Sequence, residues 1–281
     1  MVLGCAGADA TGAKSGNVLI EIELPEGKRS AWVHAPPDWT PDRSWPAIVM
    51  FHGGTGNTGL TVADLWRSHS KGPYVFVFPN GQLQRPNEPG WGNSDPAEVQ
   101  RDITFIRKLM AETTLKWNLD PQRLFAVGHS NGANMTFTLA CEAADLFHGF
   151  APVSQLFRES VADSCRPSTV RPFLHSIGAS DPKARYQGHS GALSAEESVQ
   201  FWVKRAGCTN PPETTALDQP GDDTQTEFRS WTNCATGGPV QSFVVRGGGH
   251  AWPGSGHAES TNDFSGTDAI IRFFDAVSRD R

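Results

Sequence analysis

The stretch Leu124-Phe-Ala-Val-Gly-His-Ser-Asn-Gly-Ala-Asn-Met135 decides the fold of this chain. Its first four residues are apolar, which predicts a buried strand, and a helix-compatible segment runs from Asn134 to about Glu142. Between them lies Gly128-His-Ser130-Asn-Gly132, a Gly-x-Ser-x-Gly sequence. Strand, sharp turn and helix form the context of a nucleophile elbow, which holds the serine hydroxyl above the sheet. A Gly-Ser-Gly turn without chemistry is the alternative.

The flanking sequence predicts strands that alternate with helices. An antiparallel edge pair is expected at 18–24 and 31–35, and buried strands at 47–51, 74–78, 147–153, 172–177 and 240–245. Helices are expected at 62–68, 96–117, 194–206 and 269–277, and 82–96 is expected to be a polar loop. This pattern predicts an α/β fold with a mostly parallel central sheet and helices on both faces. Residues 1–16 are expected to form a flexible leader, and 17–281 a single domain.

Composition and charge exclude several classes of partner. The formal net charge is −6, which argues against a nucleic-acid partner. No apolar run reaches the roughly 18 residues that a membrane span needs. Since no Cys-x-x-Cys pair is present, a zinc or thioredoxin-type site is not expected. No metal or cofactor is expected, and the oligomeric state is left open.

The chain has five cysteines, at Cys5, Cys141, Cys165, Cys208 and Cys234. Proximity favours the disulfides Cys141–Cys165 and Cys208–Cys234, although four cysteines allow three pairings. Disulfides would place the protein in an oxidising compartment, extracellular or periplasmic. Buried free thiols in a cytosolic protein are the alternative. Val2-Leu-Gly-Cys5 resembles the end of a lipoprotein signal, which would make Cys5 a lipid anchor, and a chance apolar start is the alternative.

Two residues at strand ends are expected to activate Ser130. A serine hydroxyl needs a base beside it and an orienting carboxylate behind the base. Asp181 follows the strand predicted at 172–177, and His250 follows the one predicted at 240–245, in the chain order Ser, Asp, His. We therefore expect Asp181 to be the orienter and His250 the base.

The other histidines and carboxylates are weaker candidates. His175 lies inside a predicted strand, and the side chain of His129 should point away from the Ser130 hydroxyl. A solvated surface position is expected for a further set, comprising His189, His257, Asp218, Asp222 and Asp223.

An oxyanion hole is expected beside Ser130. One donor would be the backbone N–H of Asn131. The second would be that of Gly54 or Thr55, in Phe51-His-Gly-Gly-Thr-Gly56 after the strand predicted at 47–51. A plain turn at the strand exit is the alternative.

These motifs together resemble an esterase family that includes polyhydroxybutyrate depolymerases and bacterial feruloyl esterases. The resemblance rests on His52-Gly-Gly, Gly128-His-Ser-Asn-Gly, Gly178-Ala-Ser-Asp-Pro and Gly247-Gly-Gly-His-Ala-Trp-Pro-Gly. Arg101-Asp-Ile-Thr-Phe-Ile and Asn118-Leu-Asp-Pro-Gln-Arg-Leu also look like that family. The resemblance implies an α/β-hydrolase fold, a metal-free acyl-enzyme mechanism, export from the cell, and a triad of Ser130, Asp181 and His250.

The substrate is expected to be a soluble or oligomeric ester. This chain has Gly54 where the family often has Cys, and it carries no linker and separate polymer-binding domain. We therefore favour feruloylated or acetylated polysaccharide fragments and hydroxyalkanoate oligomers over solid polyester. Trp91 and Trp252 are expected to stack on an aromatic acyl group or a sugar, with loop anchoring as the alternative for Trp91. Polyester depolymerase, serine peptidase and catalytically silent carbohydrate- or lipid-binding protein are the rival functions.

Overall fold

A computed structural model describes residues 16–54, 58–69, 71–85, 88–92 and 95–279. Cys5, the leader as far as residue 15, and Thr55 lie outside the described residues. The strands are β1 Gly16–Leu24, β2 Gly27–Ala35, β3 Trp45–Phe51, β4 Val75–Pro79, β5 Gln82–Arg85, β6 Glu88–Gly90, β7 Leu119–His129, β8 Phe150–Val153, β9 Phe173–Gly178, β10 Glu213–Leu217, β11 Gln225–Trp231 and β12 Val240–Arg246. The helices are α1 Gly59–Ala63, α2 Pro96–Trp117, α3 Asn131–Glu142, α4 Glu159–Ser164, α5 Ala195–Ala206 and α6 Gly266–Arg279, with a 3-10 helix at Asp64–His69.

Within these residues, ten strands form one sheet in the order β1-β2-β4-β3-β7-β8-β9-β12-β11-β10. The central run from β4 to β12 is parallel, and antiparallel strands flank it at both edges. The predicted, mostly parallel α/β sheet is confirmed. Because parallel strands end at the same edge, the loops after β3, β7, β9 and β12 come together there.

Apolar layers cover both faces of the sheet, as strand β3 illustrates. Val49 and Phe51 belong to one hydrophobic cluster, with residues of α2 and α5. Ile48 and Met50 belong to the other, with residues of α1 and α6. All four side chains are fully buried. A strand that is covered on both faces has a continuous apolar sequence, which is why 47–51 was recognisable as a central strand.

The structure departs from the expected elements at four places, the first being helix α4, which was not predicted. The loop predicted at 82–96 contains the antiparallel pair β5–β6. Strands β10 and β11 were not predicted, whereas the solvated turn expected around Asp218 and Asp222 is present and connects them. The helix expected at 62–68 is split into α1 and the 3-10 helix. The helix expected at 194–206 is confirmed as α5, which has a capping box of Ser194 and Glu197 at its start and a left-handed Gly207 at its end.

Both predicted disulfides are present. Cys141 is bonded to Cys165 and Cys208 to Cys234, with sequence separations of 24 and 26 residues. Each bridge closes a moderate loop, which in the chain-entropy model stabilises the fold by about 3 kcal/mol. Among the helices that the structure describes, none has the length and apolar character required to cross a membrane.

Candidate active site

The turn after β7 holds Ser130 in a strained conformation. Ser130 has a φ of 54° and a ψ of −117°, and its N–H donates to the carbonyl of Val153 on the neighbouring strand. Positive φ is uncommon for a residue with a side chain. A Cβ on Gly128 would lie 2.1 Å from the carbonyl oxygen of Gly132, and one on Gly132 would lie 2.1 Å from that of Phe51. Both glycines are therefore required to let α3 leave β7 so sharply.

Three side chains from different strand ends form a continuous hydrogen-bonded chain. The Oγ of Ser130 lies 2.8 Å from Nε2 of His250. Nδ1 of His250 lies 2.7 Å from Oδ2 of Asp181. Ser130, Asp181 and His250, singled out separately from the sequence, are thus brought together. Since an ionised carboxylate only accepts, Nδ1 of His250 carries the proton and Nε2 is left to accept from the serine hydroxyl.

The environment of Asp181 keeps its carboxylate ionised. Its Oδ1 accepts from the backbone N–H groups of Lys183 and Ala184, at 2.8 and 2.9 Å. Burial alone would raise the pKa of Asp181, but the hydrogen bonds from His250 and from these two N–H groups outweigh it and lower the pKa below its ordinary value. The residue is only 3% exposed, so this charge faces His250 with little solvent screening.

The residues that carry the expected oxyanion donors are neighbours next to Ser130. Asn131 begins α3, and the first N–H groups of a helix have no partner within it. A Cβ placed on Gly54 would lie 3.8 Å from the Cβ of Asn131, so the two residues are neighbours. The structure thus brings Asn131 and Gly54 together, as the sequence predicted, whereas Thr55 lies outside the described residues.

His52 supports this loop, a role that the sequence did not reveal. Its Nε2 accepts from the N–H of Gly81 at 2.8 Å, which leaves the proton on Nδ1 to donate to the Gly53 carbonyl at 2.6 Å. Burial lowers the pKa of His52 to about 4, so the ring is neutral at physiological pH. The imidazole therefore fixes the peptide that immediately precedes Gly54. The sequence feature that could have indicated this role is the position of His52 in the His52-Gly-Gly motif.

Burial argues against the prediction that Trp91 and Trp252 stack on substrate, and it favours loop anchoring, the alternative given for Trp91. Trp91 is 0% exposed, and its indole N–H donates to the His52 carbonyl at 3.0 Å. Trp252 is 4% exposed and packs against Trp66, and its N–H donates to Thr267. Both side chains are large apolar groups whose single donor finds an internal partner, so they anchor loops from inside.

Of the four histidines rejected from the sequence as catalytic candidates, His175 is buried, His129 is half-buried, and two are exposed. The ring of His129 lies 5.4 Å from that of His250, a contact that was not foreseen. His175 is buried in β9, as expected, with Nε2 2.8 Å from the Gln155 carbonyl. Burial lowers the pKa of both to about 4. His189 and His257 are exposed, as expected. In the part of the chain that the structure describes, no three His, Cys, Asp or Glu side chains are grouped so as to hold a metal ion.

Curated relatives of the chain carry the names of ester hydrolases. No family model matches it. Feruloyl esterase B of Piromyces equi is 26% identical over 79% of this chain and 42% of its own length. An acetylxylan esterase of Coprinopsis cinerea is 26% identical over 78% of this chain and 65% of its own. Poly(3-hydroxyalkanoate) depolymerase C of Paucimonas lemoignei is 23% identical over 74% and 55%. The names of these relatives confirm the resemblance to esterases that the motifs indicated. The chain spans less than two thirds of the length of each relative.

A solved structure defines the fold. The acetyl xylan esterase from Aspergillus awamori superimposes with a TM-score of 0.69 at 16% identity, covering 92% of this chain and 99% of that one. With the parallel sheet and the flanking helices, this similarity shows an α/β-hydrolase fold. The fold is the one that the motifs implied.

Proposed function

We propose that this protein is a serine carboxylic ester hydrolase with Ser130 as nucleophile, His250 as general base and Asp181 as orienter. The observation that carries the proposal is the unbroken hydrogen-bonded chain from the Ser130 hydroxyl through His250 to Asp181. Its position supports the same function, because it lies beside Asn131 and Gly54 at the carboxyl edge of the parallel strands. The names of the relatives also support ester hydrolysis.

The reaction would proceed in two steps. In acylation, His250 takes the Ser130 proton as Oγ attacks the ester carbonyl, and the N–H groups of Asn131 and Gly54 stabilise the oxyanion. The imidazolium, held by Asp181, then protonates the leaving alcohol as the acyl-enzyme forms. In deacylation, water loses a proton to His250 and attacks the acyl carbonyl. The acid is released and the proton returns to Ser130.

The proposed substrates are soluble or oligomeric esters. Feruloyl or acetyl esters of polysaccharides and hydroxyalkanoate oligomers are favoured by the names of the relatives. We also propose that the protein works outside the cytosol, which the two disulfides support.

Hydrolysis of an ester panel tests the proposal. The panel comprises p-nitrophenyl acetate and butyrate, methyl ferulate and a hydroxybutyrate oligomer, each assayed with the parent protein and with Ser130→Ala. We expect hydrolysis by the parent and a loss of about 10⁶-fold in kcat in the variant, as for other serine hydrolases. Equal rates in the two proteins, or amine release from short peptides without ester hydrolysis, would contradict it. Failure of Ser130 to react with a fluorophosphonate would favour a silent binding protein.

A further inference from the structure

Arg29 and Asp102 form a buried ion pair near the candidate site. Arg29 on β2 is 7% exposed and Asp102 on α2 is 2% exposed. Nη1 of Arg29 lies 2.8 Å from Oδ1 of Asp102, and the guanidinium carbon lies 4.2 Å from the centre of the Phe105 ring. Burying two charges is costly, and apolar side chains of similar volume often stabilise a fold as well as such a pair does. Stability alone therefore does not explain why Arg29 and Asp102 are buried here.

The second oxygen of Asp102 binds the backbone next to the site. Oδ2 accepts from the N–H of Gly92 at 2.6 Å. A Cβ on Gly92 would lie 2.6 Å from the carbonyl carbon of Glu98 in the first turn of α2, so only glycine brings this peptide so close to the helix. Asp102 thus links Arg29 through one oxygen to the Trp91–Gly92 backbone through the other.

Trp91 passes this restraint to Asn131. The N–H of Trp91 donates to Oδ1 of Asn131 at 2.7 Å, and the carbonyl of Trp91 accepts from Nδ2 of Asn131 at 3.2 Å. The indole N–H of the same residue donates to the His52 carbonyl. The Trp91 backbone is therefore held by Asp102 on one side, and it holds the side chain of Asn131 on the other.

We propose that Asp102, with Arg29 as its counter-ion, is a positioning residue for the oxyanion hole. It acts through Gly92 and Trp91 on the orientation of Asn131, and this inference rests on the proposed ester hydrolysis. The role also accounts for the Arg101-Asp102 segment, which the sequence singled out and the triad does not use. A carboxylate is needed at this position because two donors approach it from different directions, one charged and one from the backbone.

A double-mutant cycle in kcat tests the chain of contacts. Asp102→Asn removes the charge, and Asn131→Ala removes the clamp on Trp91 but keeps the Asn131 backbone N–H. We expect each single variant to lose about 10- to 100-fold in kcat, less than the loss of a whole oxyanion donor, with KM little changed. Because both substitutions act through the same contacts, the kcat of the double variant should be only slightly lower than that of the less active single variant. Losses that multiply would overturn the inference.

A second pair of variants separates positioning from stability. Arg29→Met with Asp102→Leu replaces the ion pair by apolar side chains and is expected to fold, with a Tm lowered by several degrees because the buried N–H of Gly92 loses its acceptor. Its kcat should nevertheless fall about 10- to 100-fold. The matched control is Ile106→Val on the same helix, which loses a buried methylene and should keep the parental kcat. A stable double replacement with parental kcat would overturn the inference.

Ester hydrolysis by the parent protein distinguishes failure of the proposed function from failure of this inference. If it shows no Ser130-dependent ester hydrolysis, the proposed function fails and this inference fails with it. If the parent is active and the Asp102 variants match it, only this inference fails.

Discussion

The two sides of the candidate site are held by different kinds of contact. On the triad side, the side chain of His250 contacts those of Ser130 and Asp181 directly. On the oxyanion side, the expected donors are backbone N–H groups of Asn131 and Gly54, which side chains must hold in place. Changes to the triad side should therefore alter the chemistry itself. Changes to the oxyanion side should alter geometry, and their effects should be smaller.

The contacts that shape the oxyanion side span long stretches of sequence. The Trp91 backbone meets the side chain of Asn131 across 40 residues, and Arg29 meets Asp102 across 73. His52 joins the Gly53 carbonyl to the N–H of Gly81. None of these supporting side chains belongs to the triad. We therefore expect this side to be sensitive to substitutions away from the reacting atoms.

Among the substitutions that test the difference between the two sides, Asp181→Asn is expected to have the largest effect on kcat. If the new amide keeps its oxygen on the N–H groups of Lys183 and Ala184, its NH₂ faces Nδ1 of His250. The imidazole must then carry its proton on Nε2, where it can no longer accept from Ser130. We expect kcat to fall about 10⁴-fold, measured on p-nitrophenyl butyrate at pH 7.5, with the fold retained.

The matched control is Asp145→Asn. Asp145 is exposed and paired with Arg107, so its variant should keep the parental kcat. Near-normal turnover of the Asp181 variant would assign the orienting role to another carboxylate.

On the oxyanion side, His52→Ala is expected to have the next largest effect. Without the imidazole, the Gly53 carbonyl and the Gly81 N–H lose their shared partner, and the N–H of Gly54 loses its fixed direction. We expect kcat to fall about 10²-fold with KM little changed, because the oxyanion contact strengthens in the transition state. Steady-state kinetics of this variant and of His189→Ala, at an exposed position, measure the effect. A raised KM with parental kcat would instead indicate a role in ground-state binding.

Local signals explain why the triad side was predictable from the sequence. Ser130, Asp181 and His250 each follow an apolar run that ends in a glycine-rich turn, and parallel strands bring such turns to one edge. The capping box at Ser194 and Glu197 was equally local. These features require only neighbouring residues and the sheet topology.

The oxyanion side and the sheet edge were less predictable because their determinants are not local. Strand β10 is mostly exposed, so it lacks the alternation that marks a half-buried strand. Trp91 and Trp252 were assigned to substrate by their chemistry, whereas only packing against Phe51 and Trp66 shows that they are internal. Asp102 is a charged residue among the apolar positions of α2. Helical periodicity could not identify its partner Arg29, because Arg29 lies on a strand distant in sequence, β2.

Acid should reduce the free energy of unfolding through three histidines whose pKa values are lowered in the folded protein. Burial lowers the pKa values of His52, His129 and His175 from 6.5 to about 4. As the pH falls through 6.5, these residues take up protons in the unfolded chain but not in the folded protein. Their contribution to stability is therefore full above pH 6.5 and is lost progressively as the pH falls toward 4, by up to about 1.4 kcal/mol per pH unit for each histidine.

Urea unfolding at pH 7.5, 6.0 and 5.0 measures this dependence. His175→Gln should reduce the slope of unfolding free energy against pH by the contribution of one proton, up to about 1.4 kcal/mol per pH unit. His189→Gln, at an exposed position, should leave the slope unchanged. A free energy of unfolding that is flat from pH 6.5 to 5.0 would mean that these rings gain protons in the folded state.

The smallest effect on activity is expected for Trp252→Phe, which tests whether this residue belongs to the site or to the core. The indole packs on Trp66 and donates to Thr267, so the substitution should reduce the free energy of unfolding by about 1 kcal/mol, through the lost hydrogen bond and some lost contact area. Since the ring is buried, KM for methyl ferulate should stay at the parental value. If KM rises strongly while stability is unchanged, Trp252 contacts substrate during turnover and does not serve the core alone.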